Sequence, residues 1–390
     1  MSQELINRSP DLKRLRDEGF EIDVINGYAL VHHVPYVNSN KEINYGTLVS
    51  TLCLAGDKTI KPDNHVIHFI GDHPCDKQGS ILSGIQYTST QQVLAEGISI
   101  NHSFSNKPQS GYSDYYEKFT TYINVIMAPA YSMNDLVTAK TFRTVGTNNE
   151  TVFNYYDTNS SRANIIQISQ KLNGLKIGII GLGGTGSYIL DLVCKTPVSE
   201  IHIFDGDIFL QHNAFRAPGS PSAEELEEQS YKTQYFFNIY NNMHKKITCH
   251  NEYIDESNIQ EVLLNDFVFI SIDDGAAKKL IIDNLLESFI PFIDVGIGIE
   301  VVNDSLIGDV RVTTGTPEKN DHLSKRISFS NSVDDDYSTN IQIAELNALN
   351  AALAVIKWKK HYGFYQDNYL EHDTTYSINM GELINEDQSA

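Results

Sequence analysis

The sequence predicts an α/β fold: a Rossmann-like, doubly wound, mostly parallel sheet with antiparallel C-terminal strands, preceded by a separate α+β domain. Three observations predict it. From Lys176 to Asp207 the chain reads strand, glycine turn, helix, strand, acid (KIGIIGLGGTGSYILDLVCKTPVSEIHIFDGD). Short apolar runs then alternate with helical patterns as far as Val295. The stretch before position 146 lacks that alternation.

In chain order, Asp11 to Gly19 reads as a short helix stopped by glycine. Short β-like runs follow at Phe20 to Ile25, Tyr28 to Val34, Val66 to Ile70 and Tyr122 to Met127, punctuated by Gly and Pro. These define a first domain over residues 1–145. His65, His68, His73 and Cys75 invite a metal, but a strand at Val66 to Ile70 would send His65 and His68 to opposite faces. The polar stretch at 146–162 (GTNNETVFNYYDTNSSR) is the linker, and a second domain occupies 163–390.

The second domain opens with a short amphipathic helix carrying Ile165, Ile168 and Leu172, which Asn173-Gly174 stops. Ile177 to Ile180 is a buried strand, and Gly181, Gly183, Gly184 and Gly186 follow at once. Such glycines let a phosphate approach main-chain N–H groups at a helix N-terminus. A strand at Ile201 to Phe204 closes on Asp205, placed to accept from ribose hydroxyls. Next come a helix over Glu224 to Asn241, a strand near Ile247 to Cys249, and a fourth strand at Phe267 to Ser271 ending in Asp273-Asp274. A helix from Ala276 to Ser288 leads to a strand at Pro291 to Val295, and Gly308 to Thr313 suggests antiparallel pairing. Thr314 to Tyr337 is loop-like, and a helix with Ile343, Leu346, Leu349, Leu353 and Ile356 on one face follows. Ligands of such sheets bind at the strands' carboxyl ends, so Asp205 and Asp273 can face one pocket.

Composition narrows the function. A formal net charge of −21 disfavours nucleic acid or an anionic membrane as partner, since both need clustered Lys and Arg. The N-terminal stretch has no apolar core segment of a secretory signal, and no run reads as a membrane span. Four isolated cysteines, at 53, 75, 194 and 249, form no CxxC pair, so no structural zinc is expected and a cytoplasmic setting follows.

Five features converge: the glycine loop, Asp205, the Asn213/Arg216 pair, Lys232 and Asp273. Adenylation of a carboxylate needs cations along a triphosphate, a Mg²⁺ with a carboxylate ligand, and little general-base work, because the attacking carboxylate is already ionised. Arg216 and Lys232 can supply the charge and Asp273 the magnesium ligand; a dehydrogenase needs none of these around its phosphates.

From about Arg162 to Val295 the chain resembles the ThiF/MoeB-type adenylyltransferases, the family that includes ubiquitin-activating enzymes. GLGGTGS is similar to their glycine loop, DGDIFLQHNAFR to their D-x-D…N-x-x-R segment, SIDD to their magnesium tetrad, and PFIDVG to the strand that follows. The resemblance implies ATP and Mg²⁺ as cofactors. It implies that Asp205 holds the ribose, with Asp207 beside it, and that Asn213, Arg216 and Lys232 contact the phosphates. Arg162 resembles an arginine that reaches the neighbouring subunit's triphosphate, implying a homodimer. Lys232 sits a few residues later than the family's interval, and Asp274 replaces its asparagine. The cysteine that ubiquitin-activating enzymes carry beyond the magnesium aspartate is absent here, since Cys249 is the last in the chain. The loop from Thr313 to Thr339 offers only hydroxyls, with His322 its single histidine. HPCDKQGSIL, from His73, faintly resembles a segment of ubiquitin-conjugating enzymes, one residue short and with Leu82 near their cysteine.

These readings imply ATP-dependent adenylation of the C-terminal carboxylate of a ubiquitin-like protein, as in bacterial ubiquitin-like modification systems. The acyl group would pass to a partner such as a conjugating enzyme, directly, through a loop hydroxyl, or through Cys53, Cys75 or Cys194. A non-catalytic subunit, an enzyme acting on a small molecule or tRNA, and an NAD-dependent oxidoreductase are the alternatives.

Overall fold

The computed structural model of the chain describes residues 2–143, 151–155, 157–163, 165–329 and 341–389. The chain divides into two compact units, Met1–Arg162 and Ala163–Ala390.

The first unit is an antiparallel sheet with helices. Its strands lie in the spatial order Glu21–Ile25, Tyr28–Val37, Ile43–Thr51, Val66–Ile70, His102–Ser105, Gln86–Thr88. The expected short helix is present as Pro10–Asp17, followed by Gly19 at φ +99°. Tyr122 to Met127, expected as a strand, instead lies within a helix, Tyr115–Met133. Asp114 caps it by accepting from the Glu117 N–H at 2.8 Å. Tyr115, Phe119, Tyr122, Ile126 and Ala130 recur at helical spacing and are all buried. His68 faces Ser103 at 2.9 Å, and His73 packs edge-on against His102.

The second unit is built on an eight-stranded sheet in the order Ile247–His250, Glu200–Phe204, Lys176–Ile180, Phe267–Ile270, Phe292–Val302, Ser305–Gly315, Asp373–Ser377, Glu382–Glu386. The first five strands are parallel, and the last three continue antiparallel. The central strands are buried on both faces, which is why they read as continuous apolar runs rather than alternating ones. The fifth strand runs far beyond the expected Val295, because Asn303 and Asp304, both at positive φ, close a two-residue hairpin.

Two helices differ from expectation. The single helix over Glu224 to Asn241 is two, Ala223–Glu227 and Lys232–Tyr240, with Gln229 at φ +49° between them. The break places Lys232 on the first helical turn, where its N–H donates to the Asp207 carbonyl at 2.9 Å. The Ala344–His361 helix buries Asn347, Ala351, Ala354 and Trp358 rather than the expected stripe, whose last member, Ile356, is exposed. The small alanines admit the helix of the glycine loop, and close approach outweighs side-chain hydrophobicity there.

His244 and His372 are buried in this unit and hydrogen-bonded; burial pushes both down to about 4. In the unfolded chain each titrates near the ordinary value of ~6.5, so between those limits the unfolded state binds more protons. Their stabilising contribution is therefore complete above about pH 6.5 and lost as pH falls toward 4, at up to ~1.4 kcal/mol per pH unit for each. Urea midpoints measured from pH 8 to pH 5 should fall below pH 6.5, and less steeply in a His244→Gln variant.

Candidate active site

The carboxyl ends of the parallel strands converge on a cavity of about 770 Å³ in the second unit. Gly181, Gly183, Gly184, Asp205, Asp207, Arg216, Lys232 and Asp273 all line it. Sequence positions spread over about ninety residues are thus gathered by the parallel topology.

The glycine loop is held by close backbone approach. Gly181 has φ +84°, and a Cβ there would lie 2.4 Å from the Ser271 carbonyl oxygen. A Cβ on Gly186 would lie 1.9 Å from the Gly181 carbonyl oxygen, so Gly186 shapes the turn without lining the cavity. Gly186→Ala should destabilise the chain by about 1–3 kcal/mol through overpacking, measurable as a lower urea midpoint. Gly183 lies on the cavity with open space above it.

Asp205 is buried, and its two carboxylate oxygens accept from the N–H groups of Leu182 at 2.6 Å and Asp207 at 2.8 Å. Each oxygen retains a lone pair for a ribose hydroxyl. Burial pushes its pKa up, against the pull of Lys232. The Lys232 ammonium is buried between two carboxylates, 2.6 Å from Asp207 and 3.6 Å from Asp205. Burial also raises Asp207, but hydrogen bonds from Lys232 and Tyr253 outweigh it and hold the carboxyl below its ordinary value. Tyr253, the other partner, is pushed up to about 12 by that bond.

Arg216 lies half-buried on the cavity wall, and its Nε is buried with no hydrogen-bond partner among the described residues. Asn213 is buried behind it; its Oδ1 accepts from the Leu210 N–H at 2.9 Å, while Nδ2 has no such partner. Asn213 does not line the cavity. The leftover Arg216 donor on the cavity wall suits a phosphate chain, which would supply an acceptor, whereas Asn213 Nδ2 is buried off the cavity. Asp273 is exposed on the cavity wall just past the Phe267–Ile270 strand. Asp274 also lines the cavity, and its Oδ1 caps the next helix, accepting from the N–H groups of Ala276 and Ala277 at 2.9 and 3.0 Å. Arg162 ends a short helix, Thr158–Arg162, and its side chain lies outside the described residues.

Several residues at the site carry no local sequence signal. Asn347 accepts from the Thr185 hydroxyl at 3.1 Å and donates to the Arg216 carbonyl at 3.1 Å, tying the glycine loop to the arginine segment. Asp294, fully buried, meets Lys278 at 2.9 Å and Arg311 at 2.7 Å, and both cations line the cavity. Asp294 falls within PFIDVG, and Asn347 is one polar residue on a helix face that also buries Asn350 and Lys357; neither pattern alone specifies these contacts.

A mostly parallel α/β sheet with a glycine loop, a buried strand-end carboxylate and cations on one cavity defines a nucleotide-binding enzyme. Residues 158–356, more than half of the chain, match the ThiF family, and residues 10–158 match a domain of unknown function, DUF6791. The chain belongs to the ThiF family of ATP-dependent adenylyltransferases. Among solved structures it is similar to E. coli MccB with MccA-N7isoASN, at 17% identity over 73% of this chain and 81% of that one, with a TM-score of 0.48. E. coli MccB with ATP shares 18% identity over 58% and 67% of the two chains, TM-score 0.44. PaaA shares 14% identity over 77% and 99%, TM-score 0.47. No curated protein matches the chain. No helix among the described residues is long and apolar enough to cross a membrane.

Proposed function

We propose that this chain uses ATP to adenylate the C-terminal carboxylate of a ubiquitin-like protein and hands the acyl group to a partner. The observation that carries the reading is the convergence of the glycine loop, Asp205, Arg216, Lys232 and Asp273 on one cavity. A substrate carboxylate oxygen attacks the α-phosphorus, the bond to the pyrophosphate oxygen breaks, and an acyl-adenylate and pyrophosphate result. The nucleophile arrives ionised, so the chain's task is to bind and to offset charge. Asp205 accepts from the ribose; Arg216, through its orphaned Nε, and Lys232 face the phosphates. Asp273 offers the carboxylate oxygen that Mg²⁺ prefers, and a bound ion would neutralise phosphate charge there.

The fate of the acyl group is narrowed by exposure. Burial raises the Cys75 thiol, pushes Cys194 up to about 12 and Cys249 up to about 11, so none is a ready thiolate. Thr313, Thr314 and Thr316 are buried, whereas Ser324 and Ser328 are exposed and Ser328 lines the cavity. Ser330, Ser332, Ser338 and Thr339 lie outside the described residues. His322 is buried with Nε2 bound to the Thr314 carbonyl at 3.0 Å, which turns that nitrogen away from any hydroxyl. Direct transfer to a conjugating partner, or an oxyester at Ser328, accounts for the missing crossover-loop cysteine, and half-buried Cys53 in the first unit stays an alternative acceptor. A homodimer would use Arg162 and the incompletely buried stripe of Leu346, Leu349, Leu353 and Ile356.

Intact-mass analysis after incubation with Mg-ATP and a ubiquitin-like protein tests the reading. The expected product is that protein carrying one AMP. AMP release with no modified species in any carboxylate-bearing partner would count against it. If an adduct to this chain forms and survives Ser328→Ala, the oxyester at that residue is excluded.

A further inference from the structure

At the edge of the parallel sheet, His250, Glu252 and Glu261 bring one imidazole nitrogen and two carboxylates within 4.8 Å of one another. His250 ends the edge strand Ile247–His250, Glu252 follows it, and Glu261 lies in the short helix Ile259–Val262. Beyond them the contacts continue as a chain. His250 Nδ1 lies 2.7 Å from Glu261, its Nε2 lies 3.1 Å from His202 Nδ1, and His202 Nε2 lies 3.4 Å from Glu200.

Proton counting makes this chain incomplete. Two neutral imidazoles carry two N–H groups, and carboxylates bring none. Three contacts must be bridged, so one lacks a positive centre. When Glu200 accepts from His202, and His202 accepts from His250 Nε2–H, the His250 Nδ1 lone pair is left facing the carboxylate of Glu261, with Glu252 nearby. The other tautomer, with His250 Nδ1–H donating to Glu261, instead leaves two imidazole lone pairs facing each other at 3.1 Å, so in either arrangement one contact needs a further proton or a cation.

We propose that this corner binds a divalent first-row transition ion through His250 Nδ1, Glu252 and Glu261. The mixed nitrogen and carboxylate set suits Zn²⁺ or Co²⁺. His202 and Glu200 supply the outer hydrogen bonds that fix the ring of a metal-bound histidine. The site differs in position and donors from the Asp273 carboxylate and from any cysteine-based zinc site. It has a readable consequence, because Glu252 and its neighbour Tyr253 line the nucleotide cavity, and Tyr253 bonds Asp207. An ion here would tie down that wall.

Calorimetric titration of the full chain with Zn²⁺ in excess Mg²⁺, and absorption titration with Co²⁺, test the proposal. One ion per chain should bind, with cobalt d–d bands. His250→Ala and Glu261→Gln should each abolish that stoichiometric binding, and His202→Gln should weaken it about 10- to 100-fold. Should His250→Ala fail to fold, Glu261→Gln decides, because that side chain is 47% exposed. Absence of saturable one-to-one binding, or binding unchanged in folded Glu261→Gln, overturns the proposal and leaves the third bridge to a proton.

Discussion

Asp273→Ala is expected to lower ATP–pyrophosphate exchange about 10³-fold while changing the unfolding free energy by less than about 1 kcal/mol. The two effects separate because of how the neighbouring aspartates divide their work. Asp274 caps the Gly275–Glu287 helix through two N–H groups. Asp273 instead presents its carboxylate on the cavity wall. On the proposed reading, its loss removes the strand-end carboxylate assigned to Mg²⁺. Asp274→Ala should show the reverse pattern, a loss of about 1 kcal/mol in stability from the missing cap with exchange largely retained. Paired thermal melts and exchange rates on the two variants check both halves.

Lys232→Ala should damage the fold and the site together. The ammonium is buried between Asp205 and Asp207, and Asp205 has no other cation within ion-pair distance among the described residues. Removing one partner of a buried pair leaves an uncompensated charge, which costs about 3–5 kcal/mol. Burial already raises Asp205, so without Lys232 the carboxyl would be protonated more readily. The destabilisation should therefore be larger at pH 7.5 than at pH 5.5. If Asp205 holds the ribose as proposed, a protonated or displaced Asp205 would bind it poorly, so nucleotide affinity should fall with stability. Lys232→Arg should recover little, since a planar guanidinium replaces a point charge in a closed space. Urea unfolding at the two pH values and a nucleotide titration measure these effects.

The sheet and half of the site were legible because their signals are local. Lys176–Ile180 and Phe267–Ile270 are apolar on both faces, and the glycine loop and strand-end acids sit directly beside them. The Tyr115–Met133 helix was read as strand over Tyr122 to Met127 because YINVIM is β-branched and continuous; its helical spacing emerges only when Tyr115 and Ala130 are included. The break before Lys232 depends on Gln229 at positive φ, a conformation that no glycine advertises. Asn347, Arg311 and Asp294 reach the site only through long-range packing, since the residues they join lie up to 162 positions apart. The proton-deficient histidine chain is likewise invisible in sequence, because it needs the pairing of Glu200–Phe204 with Ile247–His250.

Activation of the carboxyl terminus of a ubiquitin-like protein requires that terminus to be free. ATP–pyrophosphate exchange measured with such a protein, and with the same protein amidated at its C-terminus, tests it most directly. Exchange is expected with the free carboxylate, none with the amide, and about 10³-fold less with Asp273→Ala. Equal exchange with the amidated protein, or exchange supported only by small carboxylic acids, would contradict it.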